Sequence, residues 1–371
     1  MENRKNWKNY AGILITFGII GNLICLFIYR RSKLFQRSRL TPYLVSVAIS
    51  DLTFFVCLFI SWLKDIGIEW HDLPGVCSAM IFVSQTCAFL SAWFVAVSTA
   101  EIAQAYRQKK IGQRSVILSR RATTTRLALI TLVGLLINSW TLAISASVPL
   151  VGDHTMQMVN TTSSTVLSKV RFECRIMVDP EVFYRIYTVY DTFITLSIPF
   201  LAIFSLNAFV AARLIQNVHR RRAKFQRRRN ALSTNIQSRK DSNDYLTQHT
   251  IPYQQPDNIA YHSTQHSMNL IHTIFRWKLV VRPQMAAYRY ATRLIMTKSI
   301  VYLIFNFPIF TYRLWMLIGR AITDEENEPR RRAPTLFHFA ICVYYAQFAL
   351  NISIYAGQWI FHRKKKNAPQ Q

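Results

Sequence analysis

Seven long, charge-poor apolar runs limit what this chain can fold into. They cover residues 11–29, 43–63, 76–100, 127–149, 187–212, 294–318 and 335–361. Each is near the length, about 20 residues, that an α-helix needs to cross a bilayer. A soluble helical bundle would carry Lys and Glu at i, i+4 along its faces, and these runs do not. The third run is the most informative. No charge appears between Cys77 and Glu101, and helix of that length spans roughly 36 Å against a hydrocarbon core of about 30 Å. Cys77, Ser84, Ser91 and Ser98 recur every seventh residue and so share a face. Lipid does not reward such a stripe, whereas neighbouring helices do, because small residues let backbones approach closely. The pattern predicts an all-α membrane protein: a seven-transmembrane-helix bundle with the third helix at its centre.

A net charge of +27 could signal nucleic acid, but its distribution argues against that partner. With the N-terminus outside, segments 30–40, 105–126, 213–293 and 361–371 face inward and hold 31 Lys and Arg. The outer segments 1–10, 64–75, 150–186 and 319–334 hold 12. This is the positive-inside asymmetry, and an anionic inner leaflet suffices to explain the basic loops. Arg4, Lys5 and Lys8 oppose this orientation, and the five basic residues of 30–40 outweigh them. The first run is longer than a signal-peptide core and has no small-x-small site before Arg30, so it is expected to stay as the first span. The organisation is then a short extracellular tail (1–10), a seven-helix domain (11–361) and a cytoplasmic tail (362–371). Within the domain, residues 213–293 form a long third cytoplasmic loop. It opens with HRRRAKFQRRR and continues Ser-, Gln- and Asn-rich, a composition expected to stay largely disordered.

Polar residues inside the spans are the candidate machinery. Asn22 in the first and Asp51 in the second must face protein, because a carboxylate at membrane depth costs at least about 2.5 kcal/mol. Asp51 therefore needs a polar cavity or a cation. Prolines stand at Pro199 in the fifth span and Pro308 in the FNFP of the sixth, where each removes a backbone hydrogen bond and makes a kink or hinge. Of six cysteines, Cys25, Cys57, Cys87 and Cys342 lie in spans. Only Cys77 and Cys174 fall on the oxidising outer side, where a disulfide would tether the longest outer loop to the third helix. The same loop carries the glycosylation sequon Asn160-Thr161-Thr162.

Taken together, these residues resemble the rhodopsin-like G-protein-coupled receptors, nearest in flavour to invertebrate neuropeptide receptors. The resemblance rests on Gly21-Asn22, Asp51 in SVAISDL, the pair Cys77 and Cys174, Trp140, Pro199 and Pro308. Ser91 lies fourteen residues after Cys77, where the family often has a serine facing the second-span Asp. Glu101 lies twenty-four after it, at the acidic position of the D/E-R-Y motif. Three departures stand out. Ile102 replaces the motif arginine, and Arg107 is roughly 140° further round the helix. Asn306 replaces the tryptophan two residues before the sixth-span proline, as in many invertebrate peptide receptors. The N-P-x-x-Y motif of the seventh span reads in two registers. Asn351 and Tyr355 match its ends with Ile352 for Pro; alternatively Tyr355 takes the Asn place and Trp359 the Tyr place. The second is favoured, because the basic stop at His362-Arg363 then follows at the usual distance.

The resemblance implies a receptor of the plasma membrane, switched when a ligand binds one helix packing better than another. Glu101, Ile102, Asn306, Pro308 and Tyr355 hold the switch and coupling positions. Asp51, Ser91 and Asn351, with Asn306 nearby, would form a polar core able to hold Na⁺; no other cofactor is expected. A monoamine ligand is disfavoured because Ser84, followed by Gln85, stands where an Asp would pair the ammonium, and the seventh span has no Lys for retinal. A peptide remains, with Ser84, Gln85, Tyr190, Arg313 and His338 as expected contacts. The partners are this ligand, the lipid bilayer and a heterotrimeric G protein, the last in question because of Ile102. The alternative is a receptor fold that does not couple, a ligand sink or arrestin-type scaffold. A secondary transporter ranks below it, because no internal repeat or matched pair of broken helices is seen. No enzyme is expected: there is no phosphate-cradling Gly loop or nucleophile elbow, and His262, His266 and His272 lack metal-ligand spacing.

Overall fold

The structure, a computed structural model of the chain, describes residues 2–36, 38–107, 120–150, 171–176, 189–246, 282–322 and 334–358. Its elements in chain order are α1 (Glu2–Arg31), α2 (Lys33–Gln36), α3 (Thr41–Asp65), α4 (Val76–Arg107), α5 (Arg120–Asn138) and α6 (Trp140–Ile144). A hairpin of β1 (Ser145–Leu150) and β2 (Arg171–Ile176) follows. Then come a π-helical turn (Asp191–Ser197), α7 (Ile198–Leu246), α8 (Arg282–Ile322) and α9 (Pro334–Ala349). A final stretch, Asn351–Gln358, is labelled α10 and meets the preceding helix at 49°. Six spans are long and apolar enough to cross a membrane, and the bent α9–α10 pair passes as a seventh. The seven-helix bundle read from the apolar runs is therefore the fold.

Burial ranks the helices. Over its most apolar stretch α4 is 56% buried, against 17% for the α5–α6 span, which places α4 in the middle and α5 at the rim. The small-residue stripe does what its spacing predicts: Cys77, Ser91 and Ser98 are buried, and Ser84 is half-buried. Outward faces carry Phe17, Phe27, Leu136, Phe204 and Ile304, all exposed, as lipid-facing positions require. Helices α1 and α3 pack so closely that a Cβ on Gly18 would stand 2.2 Å from the Phe55 ring.

Breaks in regularity follow from proline and from local polar bonds. Thr41-Pro42 starts α3, with Pro in the first turn and Thr41 Oγ1 donating to the Phe35 carbonyl at 2.6 Å. Pro199 has no N–H to donate, and the turn before it widens to π geometry, with Ser197 Oγ donating five residues back to the Thr192 carbonyl at 2.6 Å. Pro308 lies within α8.

Several boundaries differ from the sequence reading. The fourth span ends at Ile144, and residues 145–149 belong to β1, where Pro149 disfavours helix for the residue before it. The 213–293 segment is not wholly irregular: α7 continues to Leu246 and α8 begins at Arg282. Residues 2–9, read as a tail, are the first turns of α1. Helices prolonged beyond the membrane keep their backbone bonds paired, which explains all three extensions.

The hairpin sits over one end of the bundle. Cys174, opposite Ser147 in the antiparallel register, is bonded to Cys77 at the start of α4, and their Cα atoms are 5.6 Å apart. Asp72, in the short turn between α3 and α4, gathers this end. Its Oδ1 accepts from Lys64 Nζ at 2.9 Å and from the Cys174 backbone N–H at 3.1 Å, with His71 Nδ1 at 3.4 Å. Burial works against the Asp72 charge, but these donors together outweigh it and hold the carboxyl below its usual range.

Two predictions follow from this packing. Gly18→Val is expected to destabilise the protein by about 1–3 kcal/mol, because Phe55 is fully buried and has nowhere to go. Gly357→Ala, with nothing within 4 Å, serves as the control in the same detergent melting experiment. For Asp72, a depressed folded pKa means that its stabilisation is present above the ordinary carboxylate range and lost as pH falls through the lower folded value. The melting-temperature gap between wild type and Asp72→Asn should thus be full above about pH 4 and close below it.

Candidate functional site

Three polar clusters interrupt the apolar bundle, one at each end and one between. The middle cluster is built around Asp51, fully buried on α3. Ser91 Oγ donates to Asp51 Oδ1 at 2.6 Å from α4. Asn351 Nδ2, at the start of α10, donates to Asp51 Oδ2 at 2.7 Å and lies 2.5 Å from Asn22 Oδ1. Asn22 Nδ2 in turn donates to the Phe348 carbonyl at 3.1 Å, beside the bend between α9 and α10. The cation that a buried carboxylate requires is Lys298 of α8. Its Nζ donates to Asp51 Oδ2 at 2.8 Å and also to Asn351 Oδ1.

The Na⁺ expected at Asp51, Ser91 and Asn351 does not fit beside this ammonium. Lys298 already balances the carboxylate, and it occupies the two oxygens, Asp51 Oδ2 and Asn351 Oδ1, that would ligate the ion. Asn351 is the seventh-span residue that meets Asp51, and Tyr355, one helical turn on, packs edge-on against Tyr29. Trp359 lies outside the described residues. Asn306 keeps to a neighbouring layer, bonded to Gln347 and, at 2.7 Å, to the Tyr302 carbonyl.

At the disulfide end the helices enclose a cavity of about 200 Å³. Ser84 and Gln85 of α4, Arg313 of α8 and Tyr344 of α9 line it, with Asp191 and His71. Arg313 Nη1 donates to Asp191 Oδ2, so the cavity wall holds an ion pair. Of the five ligand contacts expected from sequence, Ser84, Gln85 and Arg313 meet here. Tyr190 is not among the residues lining the cavity; its ring packs edge-on to Trp140, and its buried hydroxyl has no hydrogen-bond partner among the described residues. His338 is on α9, and its side chain lies outside the described residues, as does Asn160.

At the opposite end Glu101 joins three helices. Arg126 Nη1 of α5 donates to Glu101 Oε1, and Tyr43 Oη of α3 donates to the same oxygen at 2.8 Å. Ile102 is fully buried in the apolar core, beside Ala103. The carboxylate is thus held by a neighbouring helix instead of by an adjacent arginine. Pro308 lies ten residues beyond Lys298 on α8, about 15 Å along the axis, and so stands between the lysine and Arg313 of the cavity.

Sequence reasoning missed Lys298, Asp191, Arg126 and Tyr43 as site residues. For the first two a signal existed: an ionisable side chain inside an apolar span is a functional candidate by default, together with its partner. Nothing in the sequence pairs Arg126 or Tyr43 with Glu101.

The middle cluster generates a direct test. Asp51→Asn leaves the Lys298 ammonium without a counter-charge and should cost about 3–5 kcal/mol. Removing both charges in Asp51→Asn/Lys298→Met should recover much of that loss, as read by thermal melting of the purified protein.

Comparison with known families agrees with this geometry. The model of the "7 transmembrane receptor (rhodopsin family)" matches residues 21–355, from within the first span to within the last, and takes in all three clusters. No individual curated protein matches the chain. The family match and the bundle with its Cys77–Cys174 bridge lead to one assignment: this chain belongs to the rhodopsin family of seven-transmembrane receptors.

Proposed function

We propose that the protein is a multi-pass plasma-membrane receptor that binds the end of a peptide between its helices and passes the event to the opposite face. The observation that carries this reading is the ion pair in the cavity wall. Arg313 and Asp191 are partly buried and face a space of about 200 Å³, which suits one terminal residue better than a folded ligand. A peptide carboxylate entering there can take the Arg313 guanidinium from Asp191, a charge-assisted exchange that couples binding to the spacing of α8 and the π-turn. The asymmetry of Lys and Arg supports an extracellular N-terminus, which places cavity, disulfide and Asn160 outside and makes Asn160 a glycosylation site. A heterotrimeric G protein is the partner that this family generally uses at the inner face.

One observation favours a second reading, a receptor fold that binds without coupling. Ile102 is sealed in the core at the place of the motif arginine, and Glu101 is engaged by Arg126 and Tyr43. Ligand-stimulated nucleotide exchange measured beside ligand uptake separates the two readings: uptake without exchange selects the second.

Cells displaying the receptor should respond to members of a neuropeptide library in cyclic AMP or calcium readouts. For a responding free-acid peptide, Arg313→Ala should weaken binding by about 10- to 100-fold, the worth of one charged hydrogen bond. Amidation of the same peptide should weaken it similarly in wild type and add nothing in the variant. Equal potency of acid and amide in wild type would refute the carboxylate reading.

A further inference from the structure

We propose that Lys298 is a tethered counter-cation: the polar core of this receptor carries its positive charge on its own chain and is insensitive to Na⁺. The proposal goes beyond the ligand reading and does not depend on which ligand binds.

Three features of the cluster support it. First, three of the carboxylate's roughly four acceptor sites are filled inside the protein. Asp51 Oδ1 accepts from Ser91, and Oδ2 accepts from both Lys298 at 2.8 Å and Asn351 at 2.7 Å. Second, the ammonium bridges. It reaches Asp51 on α3 and Asn351 on α10, the oxygens that a small cation would need, so a second positive charge would be placed against it. Third, the lysine is nearly as enclosed as its partner: its side chain is 14% exposed and that of Asp51 0%. Water cannot screen such a pair effectively, and its strength does not follow the surrounding salt as a surface pair's would.

The source of the charge matters for how it can leave. A dissolved ion departs by diffusion and its occupancy follows concentration. The Lys298 ammonium can depart only if α8 carries it, since the side chain is fixed to that helix. Ser299, the next residue, ties the same turn of α8 to Asn207 of α7 at 3.0 Å. Separation of Lys298 from Asp51 is thus linked to movement of α8 relative to α3 and α10.

The test is thermal melting of the purified full chain in lipid nanodiscs, in NaCl against N-methylglucamine chloride at equal ionic strength. Wild type is expected to melt at the same temperature in both. Lys298→Met should acquire a Na⁺-specific rise of about 2 °C or more, because the vacated oxygens then form an ordinary cation site. Asp51→Asn/Lys298→Met should show no rise. If Lys298→Met does not yield folded protein, Lys298→Gln takes its place. A Na⁺-specific rise in wild type overturns the proposal. So does its absence in a folded Lys298 variant, or its persistence in the double variant.

Discussion

A carboxylate with no water to turn to sets the terms for the middle of this protein. Asp51 lies at membrane depth with no exposed surface, and the chain answers with donors from three other helices: Ser91, Asn351 and Lys298. Removing any one leaves a polar group in a low-dielectric interior, where an unsatisfied bond costs more than in water. Because α3, α4, α8 and α10 all contribute, their relative heights are fixed together. The apolar contacts around this cluster are less particular, since lipid is as apolar as leucine and offers no strong reason for one helix register over another. Polar pairing therefore specifies the bundle, while close packing such as Gly18 on Phe55 tightens it.

The two end clusters use the same physics for different purposes. At the disulfide end, Asp72 anchors a turn through Lys64 and the Cys174 backbone, and a covalent bridge fixes the hairpin above it. Lys64 reaches water, and the hydrogen bonds to Asp72, unlike the bridge, are expected to weaken as acid protonates the carboxylate. Deeper in, the Asp191–Arg313 pair lines a cavity and can be opened by a competitor of the right charge. At the far end, Glu101 is claimed by Arg126 and Tyr43, so α3, α4 and α5 are tied where related receptors would keep an arginine beside the acid. One design, an acid at least half-buried with donors from neighbouring elements, recurs at three depths.

Much of this was legible in the sequence, and the reasons are specific. Charge-poor runs gave the spans because the bilayer excludes almost everything else at that length. The spacing of Cys77, Ser84, Ser91 and Ser98 placed α4 at the centre, and exclusion of the span cysteines left Cys77 and Cys174 to pair. Asp51, Ser91 and Asn351 came together as expected. What was not legible depends on the angle of one helix against another. Lys298 and Asp191 are charges within spans whose partners, Asp51 and Arg313, are 247 and 122 residues distant in the chain, and no local pattern encodes such pairs. The Na⁺ expectation left Lys298 out of account for that reason: the lysine was present in the sequence but not visibly beside Asp51. Helices α1, α7 and α8 run past the ends of the apolar runs, because hydropathy marks where apolar sequence stops and not where hydrogen bonding does.

The bend between α9 and α10 carries a last implication. Ile352 stands where a proline would impose a permanent elbow, and an isoleucine retains its amide. The 49° angle is accompanied instead by side chains: Asn22 from α1 and Asn351 both donate to the Phe348 carbonyl. An elbow made by proline persists in every state of a protein, whereas one secured by two amides is a clasp. Withdrawing Asn22 would undo half of that clasp, so the first helix has a hold on the shape of the last.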